Sequence, residues 1–313
     1  MIDSINALIP VFLVIAIGML IRKINYLPDS IWPALDQLCW FLLFPLLIIK
    51  TLSQADLSSV PLEGLAGALL FAACSMVALL LLLKPVLAKF TGLDGPGYTS
   101  FFQGTSRWNG FAALAIIKAL YGDEGLVLGA LSFAVLVPVL QTSNIFVLTL
   151  WGEPAGQAVR PFSVLKLFRQ LSKNPMLVSI VIGLSLNFIG VHLSGVLETT
   201  LNLMAASALG LSLLAVGAGL KFDTLGRMKI NVVLSAALKL IAMPLFIVGA
   251  CNYLDVYGLS REVAVVCGAA PTAGTAYIMA RQMGGDADMA AAIITVQTLA
   301  AVLTLPLMLF WLG

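Results

Sequence analysis

Between Tyr98 and Gly122 an apolar stretch is interrupted by Gln103, Gly104, Thr105, Ser106, Arg107, Trp108, Asn109 and Gly110 in succession. An arginine at the centre of an apolar run costs about 2.5 to 3.5 kcal/mol on insertion scales, which argues that it is kept for use. Its planar, permanently charged fork suits two hydrogen bonds to one carboxylate. The blander reading leaves Arg107 tying down loose carbonyls or pairing with Asp36. Asn109 either hydrogen-bonds a substrate or caps the half-helix that follows it. Trp108 either stacks on a substrate or packs. A second stretch, VAVVCGAAPTAGTAYIMARQMGG, carries Pro271 with Gly268, Thr272, Gly274 and Thr275 at the corresponding depth. Pro271 removes one backbone donor and crowds the carbonyl four residues back, so an uninterrupted helix is not expected there. Two broken helices would aim free N–H groups and positive dipole ends at a common point, which favours an anion. The candidate substrate-binding residues are therefore Arg107, Trp108, Asn109, Gly110, Pro271, Thr272, Gly274 and Thr275.

Pro45 and Pro138 are expected to kink their helices, and Pro45, Gln141, Asn144 and Gln297 are candidate lining residues of the cavity, with Thr142, Thr295 and Thr298 beside them. Asp36 and Lys239 are candidate coupling charges, although helix entry for Asp36 and local pairing for Lys239 compete with that role. Asp123 and Asp286 read as turn residues or caps, and His192 as a surface residue. Cys39, Cys74, Cys251 and Cys267 lie scattered in apolar stretches and read as reduced packing residues, with no disulfide or metal site. No HExxH, GxSxG, Walker or GxGD pattern is present, so no catalytic residue is assigned, and an intramembrane protease built on Asp123 and Asp286 is disfavoured.

The elements that must position these residues follow from composition. Of 313 residues, 60% are apolar and 10% charged, against about 25% charged in an ordinary soluble domain. The net charge of +2 gives no broad basic face and excludes nucleic acid as the main partner. Ten apolar runs fall near 4–21, 34–52, 62–83, 98–120, 125–150, 174–190, 196–220, 230–252, 261–282 and 288–312, predicting ten transmembrane helices. The connection from Trp151 to Lys173, with Glu153, Pro154, Pro161 and the basic segment VLKLFRQLSKN, reads as a linker holding a short interfacial helix. Twelve of the 17 Lys and Arg fall in the loops after odd-numbered runs and three on the opposite side, which puts both termini outside and the linker in the cytoplasm.

The halves align with one another. Pro10 and Gly18 match Pro175 and Gly183 at an offset of 165, Asp56 matches Asp223 at 167, and Tyr121-Gly122-Asp123 matches Gly284-Gly285-Asp286 at 163. Three landmarks at nearly one offset argue for a duplicated five-helix unit, residues 1–151 and 174–313, joined by the linker 152–173. Five is odd, so the second unit is inverted, an arrangement that recurs in secondary transporters.

At this point the residues resemble the auxin efflux carrier family, which includes the plant PIN-type carriers and bacterial organic-acid permeases, within the superfamily of bile acid, arsenite and riboflavin transporters. The most specific part is AAPTAGTAYIMARQMGGDADMAAAIITVQTLAAVLTLP, where the Pro271 break, Ala280, Gly285 and Leu305-Pro306 follow the family's second crossover helix and last helix. SRWNGF followed by ALYG is similar to the first crossover, with Asn109 in place of the family's asparagine, and Pro45 fits the proline of the second helix. Trp108 stands where plant members carry proline, and the plant carriers' long central loop is missing. The resemblance implies a scaffold of helices 1, 2, 6 and 7, a transport part of helices 3–5 and 8–10, broken crossover helices 4 and 9, and a homodimer. It also implies a small carboxylate such as malate or malonate as substrate, or an auxin-like aromatic one.

The combined expectation is an all-α polytopic protein of the inner or plasma membrane that moves a small organic anion by alternating access at the crossover. An anion channel is the lesser alternative. No cofactor is expected, and coupling to protons or to sodium is left open because no cluster of intramembrane carboxylates declares either.

Overall fold

The computed structural model describes residues 2–57, 62–153, 163–191, 193–227 and 230–312. Pro154, Arg160, Pro161, His192 and Lys229 lie outside the described residues. The apolar runs form helices because a helix pairs every backbone donor and acceptor within one segment, which hydrocarbon demands. In chain order these are α1 (Ile2–Lys23), α2 (Ile31–Leu38), α3 (Phe44–Ser53), α4 (Leu62–Thr91), α5 (Gly95–Ser106), α6 (Gly110–Trp151) and α7 (Val164–Ser172). Then come α8 (Pro175–Phe188), α9 (Gly195–Ala218), α10 (Ile230–Ala237), α11 (Met243–Tyr253), α12 (Leu259–Ala269), α13 (Thr275–Met283) and α14 (Ala287–Leu312). No strand occurs among the described residues.

Among the described residues seven helical segments are long and apolar enough to cross a membrane, or eight if α7 and α8, bent by 55°, form one span. In that count Gly95–Trp151 is a single stretch of 57 residues, although α6 leaves helical geometry at Gly122 (φ 62°, ψ −145°), a conformation that glycine adopts without steric cost. Two π-turns, Cys39–Leu43 and Leu238–Ala242, join α2 to α3 and α10 to α11. Each precedes a proline, Pro45 or Pro244. Widening the turn, with the Phe44 N–H reaching Cys39 O and the Met243 N–H reaching Leu238 O, makes room for a ring that would crowd a regular helix.

The chain divides into two compact units that interleave in sequence. The first comprises Met1–Leu62, Gly110–Ala134 and Leu165–Gly219. In it α1 packs on α9 and α3 on α8. A Cβ at Gly18 would overlap the Leu214 carbonyl, and one at Gly183 would press on Ile49 and Leu52, so both glycines serve close helix approach. Arg22 of α1 donates to Ala218 O at the end of α9. Asn187 of α8 donates to Leu52 O, Ser53 O and Ala55 O at the end of α3, at 3.0, 3.3 and 2.7 Å. Both side chains satisfy carbonyls that a helix terminus leaves open. The Phe44 and Phe111 rings stack with centroids 3.9 Å apart. Lys118 pairs with Asp123 beside the Gly122 turn.

The second unit comprises Glu63–Asn109, Val135–Val164 and Leu220–Gly313. Here α5 packs against α10, α13 and α14. A Cβ at Gly104 would stand 2.6 Å from Ile293 Cγ2, so the absence of a side chain sets how closely α5 meets α14. Asp94 caps α5 by accepting from the Gly97 N–H at 2.8 Å, and Asp286 caps α14 through the Met289 N–H at 2.9 Å. The helix α7, which from Leu165 on belongs to the first unit, has no buried residue and exposes Val164, Leu165 and Phe168 beside Lys166 and Arg169. No disulfide joins the four cysteines; Cys39, Cys251 and Cys267 are buried, while Cys74 is exposed rather than packed as its apolar stretch suggested.

Two helix breaks and a guanidinium

The polar centre of the fourth apolar run ends α5. Arg107 is extended (φ −71°, ψ 159°), and the helix resumes only at Gly110, where a Cβ would run into the Phe133 ring. Ending a helix inside a protein leaves carbonyls to be satisfied. Gly104 O accepts from Thr272 Oγ1 at 2.5 Å and from Gln297 Nε2 at 2.8 Å, and Arg107 O accepts from Thr272 Oγ1 at 3.3 Å. The second break follows Ala269. Ala270 is extended (ψ 137°), as a residue before proline should be, and α13 begins at Thr275 after Gly274. The two breaks meet through backbone: the Asn109 N–H donates to Pro271 O at 2.7 Å.

Gln297 of α14 locks this junction. Its Oε1 accepts the Thr272 N–H at 2.9 Å while its Nε2 donates to Gly104 O, so one fully buried amide bridges both breaks. Ser235 of α10 joins the network, accepting from Thr105 Oγ1 at 3.0 Å. Asn144 holds the end of α5, with its amide 3.2 Å from Ser106 Oγ and 2.6 Å from Leu140 O.

The Arg107 side chain is partly exposed and points to α13 and α6. Its guanidinium donates to Thr275 Oγ1 at 3.1 Å, Met279 Sδ at 2.8 Å and Gln141 Oε1 at 3.4 Å. All three acceptors are neutral. The ion pairs among the described residues are Arg22–Asp29 and Lys118–Asp123, and a pairing of Arg107 with Asp36 is not among them. Thr275 is the first residue of α13, so a positive charge rests against the positive end of a helix dipole. On the same helix Tyr277, Ile278, Arg281 and Gln282 line a shallow cavity of about 290 Å³. The Lys221 ammonium lies 3.9 Å from the Tyr277 ring centroid.

The structure thus brings together Arg107, Asn109, Pro271, Thr272, Thr275, Gln141 and Gln297, with Gly274 at the start of α13. Trp108 is buried, 7% exposed. Asp36 is exposed on α2, Pro45 is buried at the start of α3, and Lys239 is buried in the second π-turn. Ser235 and Met279 were missed from sequence. Ser235 is marked by standing one helical turn before Lys239, whereas no local pattern marks Met279 as a guanidinium contact.

Residues 3–309 match the family described as membrane transport protein. An uncharacterized transporter of Methanothermobacter thermautotrophicus is 23% identical over 307 residues, covering 97% of both chains. The uncharacterized transporter YfdV of Escherichia coli is 28% identical over 212 residues, covering 64% of this chain and 63% of YfdV. A match that runs through nearly every helix, over a body of membrane-spanning segments, places the chain in the membrane transport protein family, the auxin efflux carrier-like group of integral membrane transporters.

Proposed function

We propose that the chain is a secondary active transporter that binds a small organic anion, a dicarboxylate such as malate or malonate, at the paired breaks and moves it by alternating access. The observation that carries this reading is the Arg107 guanidinium, held by three neutral acceptors at the N-terminus of α13. A cation on a positive helix end is unfavourable until an anion arrives, so the site is arranged for negative charge. Arg107 and the α13 N-terminus bind the carboxylate. Gln297, Thr272 and the Asn109 to Pro271 bond hold the two breaks in register. Trp108, buried as it is, favours a small substrate over an indole ring.

Ten spans in two inverted repeats complete the proposal. A straight helix of 57 residues would reach about 85 Å at 1.5 Å per residue, against a hydrocarbon core of about 30 Å. Gly95–Trp151 therefore makes two crossings that turn at Gly122. The segments α12 and α13 are the halves of one broken span. Packing in the first unit supports the repeat: Arg22 and Asn187, 165 residues apart, each cap the neighbouring helix at Ala218 and Ser53, which are also 165 apart. Residues 1–151 and 174–313 are the repeats, with scaffold helices 1, 2, 6 and 7 and a homodimer formed through them. Both termini lie outside the inner or plasma membrane.

Labelled malate, malonate and indole-3-acetate offered to proteoliposomes, with and without unlabelled compound inside, test this function. Saturable uptake accelerated by internal substrate is expected. Flux that never saturates would make the protein a pore, and no uptake by folded protein would overturn the reading.

A further inference from the structure

Lys239 is the one charged side chain among the described residues that is fully buried, with 0% exposure, and its Nζ has no hydrogen-bond partner. It stands in the π-turn Leu238–Ala242, four residues after Ser235, which is tied to the junction of the breaks. The elements packed against this π-turn are α5, α10, α11, α12 and α14. From α12 the Cys267 thiol interacts electrostatically with the amine. The helix α5 holds further buried polar groups without partners, both amide atoms of Gln103 and Ser100 Oγ, the latter facing Gly285, while its Tyr98 hydroxyl is taken by Leu80 O. No carboxylate among the described residues pairs with Lys239. An ammonium taken out of water with no counter-charge is costly, so a lysine in such a place is retained for what its charge does.

The occupant follows from size and sign. An amine that is fully buried, with 0% exposure, admits no carboxylate substrate, and an ammonium repels sodium. A proton, carried in by transient water, meets neither obstacle. We propose that Lys239 is the proton-coupling site of the transporter. Its Nζ lone pair takes one proton from water on one side of the membrane, and the N–H bond breaks to return that proton to water on the other side, once per anion moved. The proposal rests on the carrier reading above and supplies its driving ion.

The experiment uses purified full-length protein in proteoliposomes with labelled malonate and a pH dye in the lumen. Counterflow at equal pH on both sides tests the carrier; an imposed gradient of one pH unit tests the coupling. The wild type is expected to show counterflow, up to about tenfold accumulation under the gradient, and a lumenal pH change that tracks uptake. Lys239→Met and Lys239→Gln are expected to keep counterflow within about twofold and to lose the gradient-driven accumulation. Accumulation that persists in either variant overturns the proposal. Wild-type counterflow that is indifferent to the gradient overturns the coupling while the carrier stands, and that arm needs no variant to fold. Absence of wild-type counterflow with malonate, malate and indole-3-acetate overturns the carrier and the coupling with it.

Discussion

The first break interrupts the helix from Arg107 to Asn109 without a proline, whereas the second does so from Ala270 to Ala273 around Pro271. The first brings a guanidinium and an N–H donor; the second brings a carbonyl acceptor, a threonine hydroxyl and a helix N-terminus. In the first unit, by contrast, the helix pairs α1–α9 and α8–α3 use similar packing twice: Gly18 meets Leu214 and Gly183 meets Ile49, while Arg22 and Asn187 cap Ala218 and Ser53. The two helix pairs bury similar faces and stay alike, whereas the two breaks carry different groups, a cation at one and a helix N-terminus at the other.

If the first break supplies charge and the second supplies shape, their substitutions should fail in different ways. Arg107→Gln removes charge-assisted bonds worth about 1.5–3 kcal/mol each. It should raise the half-saturating malonate concentration about 100-fold in uptake assays while thermal stability stays near wild type. Arg107→Lys, which keeps the charge and loses the fork, should fall between them. Gln297→Leu leaves the buried Thr272 N–H without a partner, a cost of about 1–3 kcal/mol. It should lower the melting temperature as well as uptake, and a normal melting temperature would show that the breaks do not depend on this bridge. The smallest effect is expected from Pro271→Ala, about 0.4–1 kcal/mol from the freer unfolded chain. The break is also held by Gln297, Thr272 and Asn109, so uptake should persist; its abolition would assign the second break to proline alone.

Both breaks were legible in the sequence, since a polar run around Arg107 and a proline at Pro271 contradict their apolar surroundings. The proposed repeat draws on the offset of 165 read from the sequence, to which the structure adds Arg22 and Asn187 as caps of Ala218 and Ser53, an unlike pair that no residue-by-residue match would join. The partners across space were less legible. Gln297 was expected to line a cavity and instead is fully buried as a bridge between the breaks, because hydropathy reports depth but not which backbone group an amide will meet. The π-turns before Pro45 and Pro244 were hidden for a related reason: proline announces a disturbance, while whether the helix kinks or widens depends on packing. The turn at Gly122 was expected at the end of a run, and its positive φ explains why glycine stands there.

The central claim is that Arg107 completes an anion site at the paired breaks, and equilibrium binding tests it most directly. Malonate should raise the melting temperature of the purified wild-type protein in a concentration-dependent way, by about 2.7 kcal/mol of added stability at 100 times its dissociation constant. The same malonate should leave Arg107→Gln unshifted. An equal shift in both proteins would contradict the account, because it would place the bound anion elsewhere.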